Sequence, residues 1–162
     1  MADIFNARGI LEIAVGVEEN GESLYAVLER NSVQEPLRRL WCYLKEQEKS
    51  HCAAFQAMLD EFQEDDTREF SPGEYSAYFK AIAVNYIITL KLMELKKTEL
   101  FATDLEAIEF GISIEKESIL TYSALQEYLP SKQKKIVGRI IDEEKQHWVS
   151  LTQIRTALRK KD

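Results

Sequence analysis

Apolar residues recur along this chain at close to the period of an α-helix, in several long segments separated by polar or helix-breaking residues. In the first segment, about Ala7 to Arg30, the residues Leu11, Ala14, Val15, Gly21, Tyr25 and Leu28 share a side, and Asn31-Ser32 marks the end. The second, about Val33 to Gln63, aligns Trp41, Leu44, Phe55 and Met58. Ser32 with Glu35 reaching back reads as a capping box at its start, and Pro36 falls in the first turn, where a missing N–H costs little. The cluster Glu64-Asp65-Asp66 closes it. Ser71-Pro72-Gly73-Glu74 predicts another start, for a helix of about Pro72 to Glu94 rich in Ala, Ile, Leu and Tyr. Thr103-Asp104-Leu105-Glu106 is a further capping box, opening a helix that runs to about Tyr128. Pro130-Ser131 then breaks the chain and caps a last helix, about Lys132 to Arg159. Strand signals are scarce. The expected fold is all-α: two helical hairpins, residues 7–63 and 103–160, forming a four-helix bundle within one domain spanning 1–162, with an extra helix in the connection at about 72–94.

Ionisable residues interrupt these stripes. Residues three apart on a helix differ by about 60° around its axis, so Glu48 and His51 share the face of Trp41, Leu44, Phe55 and Met58. Glu144 and His147 do the same within Ile136, Ile140, Leu151, Ile154 and Leu158. Glu18 lies in line with Leu11 and Tyr25, and Glu115 with Ile108 and Tyr122.

The two hairpins also resemble each other. Leu11–Tyr25 laid over Ile108–Tyr122 matches Glu12 with Glu109, Glu18 with Glu115 and Tyr25 with Tyr122 at an offset of 97. Glu48-Lys49-Ser50-His51 falls on Glu144-Lys145-Gln146-His147 at an offset of 96. An internal repeat of the order "Glu helix, then Glu-x-x-His helix" is the simplest account.

Burying a lone carboxylate costs several kcal/mol, and four close together repel strongly, so the interior must supply positive charge. Four carboxylates and two neutral imidazoles balance two divalent cations. An oxygen and nitrogen donor set with open positions suits iron or manganese better than a closed zinc site. One Glu from each of two helices plus Glu-x-x-His from each of the other two is the arrangement of di-iron and di-manganese bundle proteins.

On these residues the chain resembles the ferritin-like superfamily and, within it, the rubrerythrin-type proteins, over about residues 7 to 63 and 103 to 160. The resemblance implies that Glu18 and Glu115 are single-carboxylate ligands, that Glu48 with His51 and Glu144 with His147 form the two other arms, and that some carboxylates bridge the metals. It implies two iron ions as cofactor, with manganese or zinc as substitutes, and reaction with peroxide or dioxygen, foremost peroxide reduction. The alternatives are ferritin-like iron oxidation and storage, or a metal held without catalysis. Typical rubrerythrins carry a rubredoxin-like domain with two C-x-x-C pairs; this sequence has no C-x-x-C pair, so an external electron-donor protein is expected. They also place an extra Glu one turn after the third-helix ligand, where this chain has Ser118; Glu22, one turn beyond Glu18, is a candidate extra carboxylate. Tyr25 and Tyr122, each seven residues past a ligand Glu, are either core residues or partners of a ligand carboxylate.

Charge and composition narrow the setting. With 28 acidic against 21 basic residues and a net charge of −7, a general affinity for nucleic acid or anionic membrane is not expected. Glu12, Glu18 and Glu19 interrupt the N-terminal apolar run, which argues against a signal peptide, and no segment reaches the roughly 18 apolar residues of a membrane span. Cys42 and Cys52, ten residues apart on one helix, stand about 15 Å apart, too far for a disulfide. A cytoplasmic protein is expected. Tyr78, Phe79, Ile82, Tyr86 and Ile87 of the middle helix offer an apolar surface for a homodimer, with exchange of hairpins compatible with the repeat.

Overall fold

The computed structural model describes residues 7–61, 74–98 and 101–160, and every regular element among them is helical. Five helices follow in order: α1 (Ala7–Asn31), α2 (Glu35–Glu61), α3 (Glu74–Thr98), α4 (Asp104–Tyr128) and α5 (Ser131–Arg159). The short links after α1 and α4 turn the chain back on itself, so α1 packs along α2 and α4 along α5. The two hairpins meet through α1 with α4 and α2 with α5, while α3 lies outside the bundle, chiefly against α1 and also against α4. This is the bundle of two helical hairpins, with an extra helix in the connection, expected from the periodicity.

The core follows the apolar stripes. Leu11, Leu24, Tyr25, Trp41, Leu44, Phe55, Ile108, Tyr122, Leu125, Val137 and Leu151 are buried to 1% exposure or less. Each large apolar side chain so buried stabilises by roughly 1.5–3 kcal/mol. Aromatic rings bracket the middle of the bundle: Tyr25 stacks on Trp41 at 5.6 Å and Phe55 tilts against Tyr122 at 4.8 Å.

The ends of the helices separate two superficially similar signals. At α4 the capping box forms, because the Thr103 hydroxyl accepts from the Glu106 N–H at 3.1 Å while the Glu106 carboxylate accepts from the Ala102 N–H at 3.0 Å. At α2 the expected box does not form. Ser32 closes α1 instead, both its N–H and its hydroxyl donating to the Leu28 carbonyl. Glu35 pairs with Arg38 and Arg39, and α2 begins at Glu35 rather than Val33. Nor does Ser131 cap α5: Pro130 occupies the N-cap position without a side-chain bond, and Ser131 is the first helical residue.

α3 extends to Thr98, past the expected end at Glu94. Its expected start at Ser71-Pro72, the cluster Glu64-Asp65-Asp66, and the side chains of Phe79 and Tyr86 lie outside the described residues. Of the apolar surface expected on α3, Tyr78 is exposed and Ile87 half-buried, but Ile82, 6% exposed, turns into the bundle with Met93, and Val84, Ile88, Leu92 and Leu95 stand exposed on the side away from these two. Among the described residues no helix is long and apolar enough to cross a membrane.

Candidate metal centre

The six ionisable residues of the stripes converge in the middle of the bundle. Glu18 comes from α1, Glu48 and His51 from α2, Glu115 from α4, and Glu144 and His147 from α5, and none is more than 3% exposed. The helical period explains why each is there: Glu18 lies two turns from both Leu11 and Tyr25, which are fully buried, and Glu115 sits likewise between Ile108 and Tyr122. The stripes that carry the core therefore carry the carboxylates inward.

Their atoms form two overlapping sets. In one, a ligand atom from each of Glu18, Glu48, His51 and Glu144 lies within 4.8 Å of the others; in the second, the same holds for Glu48, Glu115, Glu144 and His147. Glu48 and Glu144 belong to both. His51 Nδ1 stands 3.3 Å from Glu144 Oε1 and 3.6 Å from Glu18 Oε2, yet none of these three buried atoms makes a hydrogen bond among the described residues. Three donor atoms that face each other without bonding each other are poorly satisfied by the protein alone and suit a common cation. On the other side, His147 Nδ1 lies 2.9 Å from Glu144 Oε2 and 3.4 Å from Glu115 Oε2. The donor set therefore fits metal binding, with Glu48 and Glu144 common to both groups.

Protons among these groups are distributed unequally. Burial works against charge on His51, but the carboxylates of Glu144 and Glu18 outweigh it and push it up to about 11. Burial also opposes charge on His147, which Glu115 and Glu144 hold at about 9. Burial and the charge of Glu144 raise Glu115 to about 8, and burial with Glu18 and Glu144 raises Glu48 well above the usual carboxylate range. Burial would raise Glu144 as well, yet the imidazoles of His147 and His51 hold it below its ordinary value. Bound cations would take the place of these protons.

The tyrosines bond to ligand-type carboxylates, and they do so crosswise. Tyr25 of α1 donates to Glu115 Oε1 of α4 at 2.6 Å, and Tyr122 of α4 donates to Glu18 Oε1 of α1. Each single carboxylate thus has one oxygen fixed by the tyrosine of the other hairpin and one oxygen turned to the centre. Burial and the nearby Glu115 carboxylate raise the Tyr25 hydroxyl well above its usual value, which keeps it a donor.

Two residues of the centre escape a reading of the sequence alone. A Cβ at Gly21 would stand 2.8 Å from Glu48 Oε2, so the missing side chain makes room for a shared carboxylate. A glycine in mid-helix, which costs about 1 kcal/mol against alanine, was the available signal. Glu143 is the other: its Oε2 lies 2.8 Å from His51 Nε2. Conversely, Glu22 is half-buried and contributes no atom to either set, and Ser118, although 3% exposed, offers no carboxylate. Cys42 and Cys52 are partly buried free thiols outside both sets.

Comparison with known proteins agrees with this geometry. No curated protein matches the chain. A solved structure described as a ferritin-like diiron-carboxylate protein from Thermotoga maritima is similar at 25% identity and a TM-score of 0.71, covering 93% of this chain and 95% of that one. The rubrerythrin family model matches residues 9–154. A bundle with buried Glu-x-x-His arms and a family match over most of the length lead to one assignment: the chain belongs to the rubrerythrin family.

Proposed function

We propose that this protein is a di-iron peroxide reductase supplied with electrons by a separate donor protein. The observation that supports the reading is the overlap of two four-residue sets through Glu48 and Glu144, at the centre of a fold shared with a diiron-carboxylate protein. Glu18 and His51 would complete one metal position and Glu115 and His147 the other, with Glu48 and Glu144 available to both. Two ferrous ions held there would supply Lewis acidity and two electrons, which with two protons convert hydrogen peroxide to two waters.

The protein's own contribution is positioning and exclusion. Tyr25 and Tyr122 hold Glu115 and Glu18 in one orientation, so these carboxylates do not need to reorganise when charge changes at the centre. Trp41 and Phe55, packed on those tyrosines, keep bulk water from the carboxylates. The unpaired thiols of Cys42 and Cys52 agree with a cytoplasmic setting, where a reducing donor is available. We also place a second copy of the chain against the exposed apolar face of α3.

The reading is tested by metal analysis, then anaerobic ferrous loading and one equivalent of peroxide or dioxygen while near-ultraviolet absorption is followed. About two irons per chain, oxidised faster by peroxide than by dioxygen, is the expected result. Zinc alone with no spectral change would defeat it, and faster reaction with dioxygen in a many-subunit shell would favour iron storage.

A further inference from the structure

The repeat that builds the centre is not symmetric around its histidines. His51 Nδ1 faces the carboxylates of Glu18 and Glu144, and its other nitrogen, Nε2, lies 2.8 Å from Glu143 Oε2. His147 also turns Nδ1 to the carboxylates, but its buried Nε2 has no hydrogen-bond partner among the described residues. The repeat explains the difference: at the offset that carries Glu48 onto Glu144, Glu143 corresponds to Gln47, so the second hairpin carries a carboxylate where the first has an amide.

The chemical consequence follows from the imidazole. A neutral ring has one N–H and one lone pair, and an acceptor at Nε2 keeps the proton there, leaving the Nδ1 lone pair free for a cation. The carboxylate also makes the ring a better electron donor and fixes its rotation, effects that typically change metal affinity by roughly 10–100-fold. Glu143 is half exposed, with 47% of its side chain open to solvent, so it can hold this position without the cost of a fully buried charge. His147 is held by its Nδ1 contact with Glu144 at 2.9 Å and by the packing of its neighbours, including the edge-on ring of Tyr43 at 5.7 Å, with no acceptor at Nε2 among the described residues.

We propose that Glu143 is a positioning residue that makes the two metal positions unequal, so that the position served by His51 fills first and holds its metal more tightly than the one served by His147. This inference rests on the two-metal reading of the centre, and the two are separable by experiment. The metal-free protein is titrated anaerobically with ferrous ion against a competing chelator, which resolves the stepwise constants. Wild type should show two steps separated by roughly 10–100-fold. Glu143→Ala should weaken the tighter step until the two nearly merge. Glu143→Gln, which keeps an acceptor but not the charge, should fall between them. His147→Ala should keep a tight step, and His51→Ala should leave only a weak one. The melting temperature of each metal-free variant controls for a purely structural effect, since a general loosening would weaken both steps together.

Two equal steps in wild type, a gap unchanged in Glu143→Ala, or a tight step surviving in His51→Ala would overturn the inference while leaving the two-metal reading intact. No uptake of ferrous ion by wild type would overturn both.

Discussion

A Cβ on Gly21 would approach Glu48 Oε2 to 2.8 Å, closer than real side chains tolerate, and the atom it meets is the movable end of a carboxylate. Gly21→Ala is therefore expected to fold, gaining roughly 0.5–1 kcal/mol from helix propensity in the metal-free protein. It should also push Glu48 out of its shared position and lower ferrous stoichiometry towards one per chain. Calorimetry of the metal-free protein with iron analysis of the loaded one separates these opposite effects. Removing the hydroxyl in Tyr25→Phe leaves a buried Glu115 oxygen without its donor, a loss of roughly 1–3 kcal/mol, and should weaken ferrous binding in the same titration. The raised groups also give the metal-free protein a pH dependence. A group whose folded pKa is raised stabilises fully below its unfolded value and ceases to as pH rises through the folded one. For Glu115 the window runs from 4.5 to about 8, for His147 from 6.5 to about 9, and for His51 from 6.5 to about 11. The melting temperature of the metal-free protein is thus expected to fall between pH 6 and 9, and that of the metal-loaded protein to fall less, because cations replace the protons. At this scale the six ionisable residues were legible because helical period and burial agree. Gly21 and Glu143 were not, because their roles depend on a distance across to α2 in one case and on a contact between α5 and α2 in the other.

Among the described residues, two links contain a hydroxyl residue followed three positions later by Glu, and only one is a capping box. Thr103 leaves its side chain free to accept from Glu106 N–H, whereas the hydroxyl of Ser32 donates backward to Leu28. A serine in a short link between helices can serve the carbonyls behind it or the N–H groups ahead of it, and sequence spacing describes only the second possibility. Thr103→Ala is expected to cost about 1 kcal/mol, or roughly 2–4 °C in melting temperature. Ser32→Ala should cost clearly less, since the Ser32 N–H still donates to the same carbonyl. Equal losses in thermal melts of the two variants would mean that Ser32 caps α2 after all. Helix existence and order were readable from apolar periodicity. The choice of partner at each end was not, because it depends on how far the preceding helix continues.

At the scale of the whole molecule, the repeat carried the most information: one pattern of "Glu helix, then Glu-x-x-His helix", read twice, fixes how four helices bring six side chains to one height. The orientation of α3 was hidden by its own composition, since its polar and apolar residues are spread around the helix without a preferred face in the sequence. The packed structure resolves this. Ile82 and Met93 point into the bundle, and Val84, Ile88, Leu92 and Leu95, 44–55% exposed, fall within an arc of about 80° on the other side. This row is the surface on which the proposed second copy would sit. With a second copy as the cover, wild type should sediment at twice the mass of one chain. Ile88→Lys combined with Leu92→Glu should give single chains of unchanged helix content, because both side chains lie on the outer face, far from the core positions that hold α3 to α1. The same variant should retain its iron, since all six candidate ligands come from α1, α2, α4 and α5. Loss of iron together with loss of the dimer would instead mean that hairpins are exchanged between subunits and that each centre is completed by its partner.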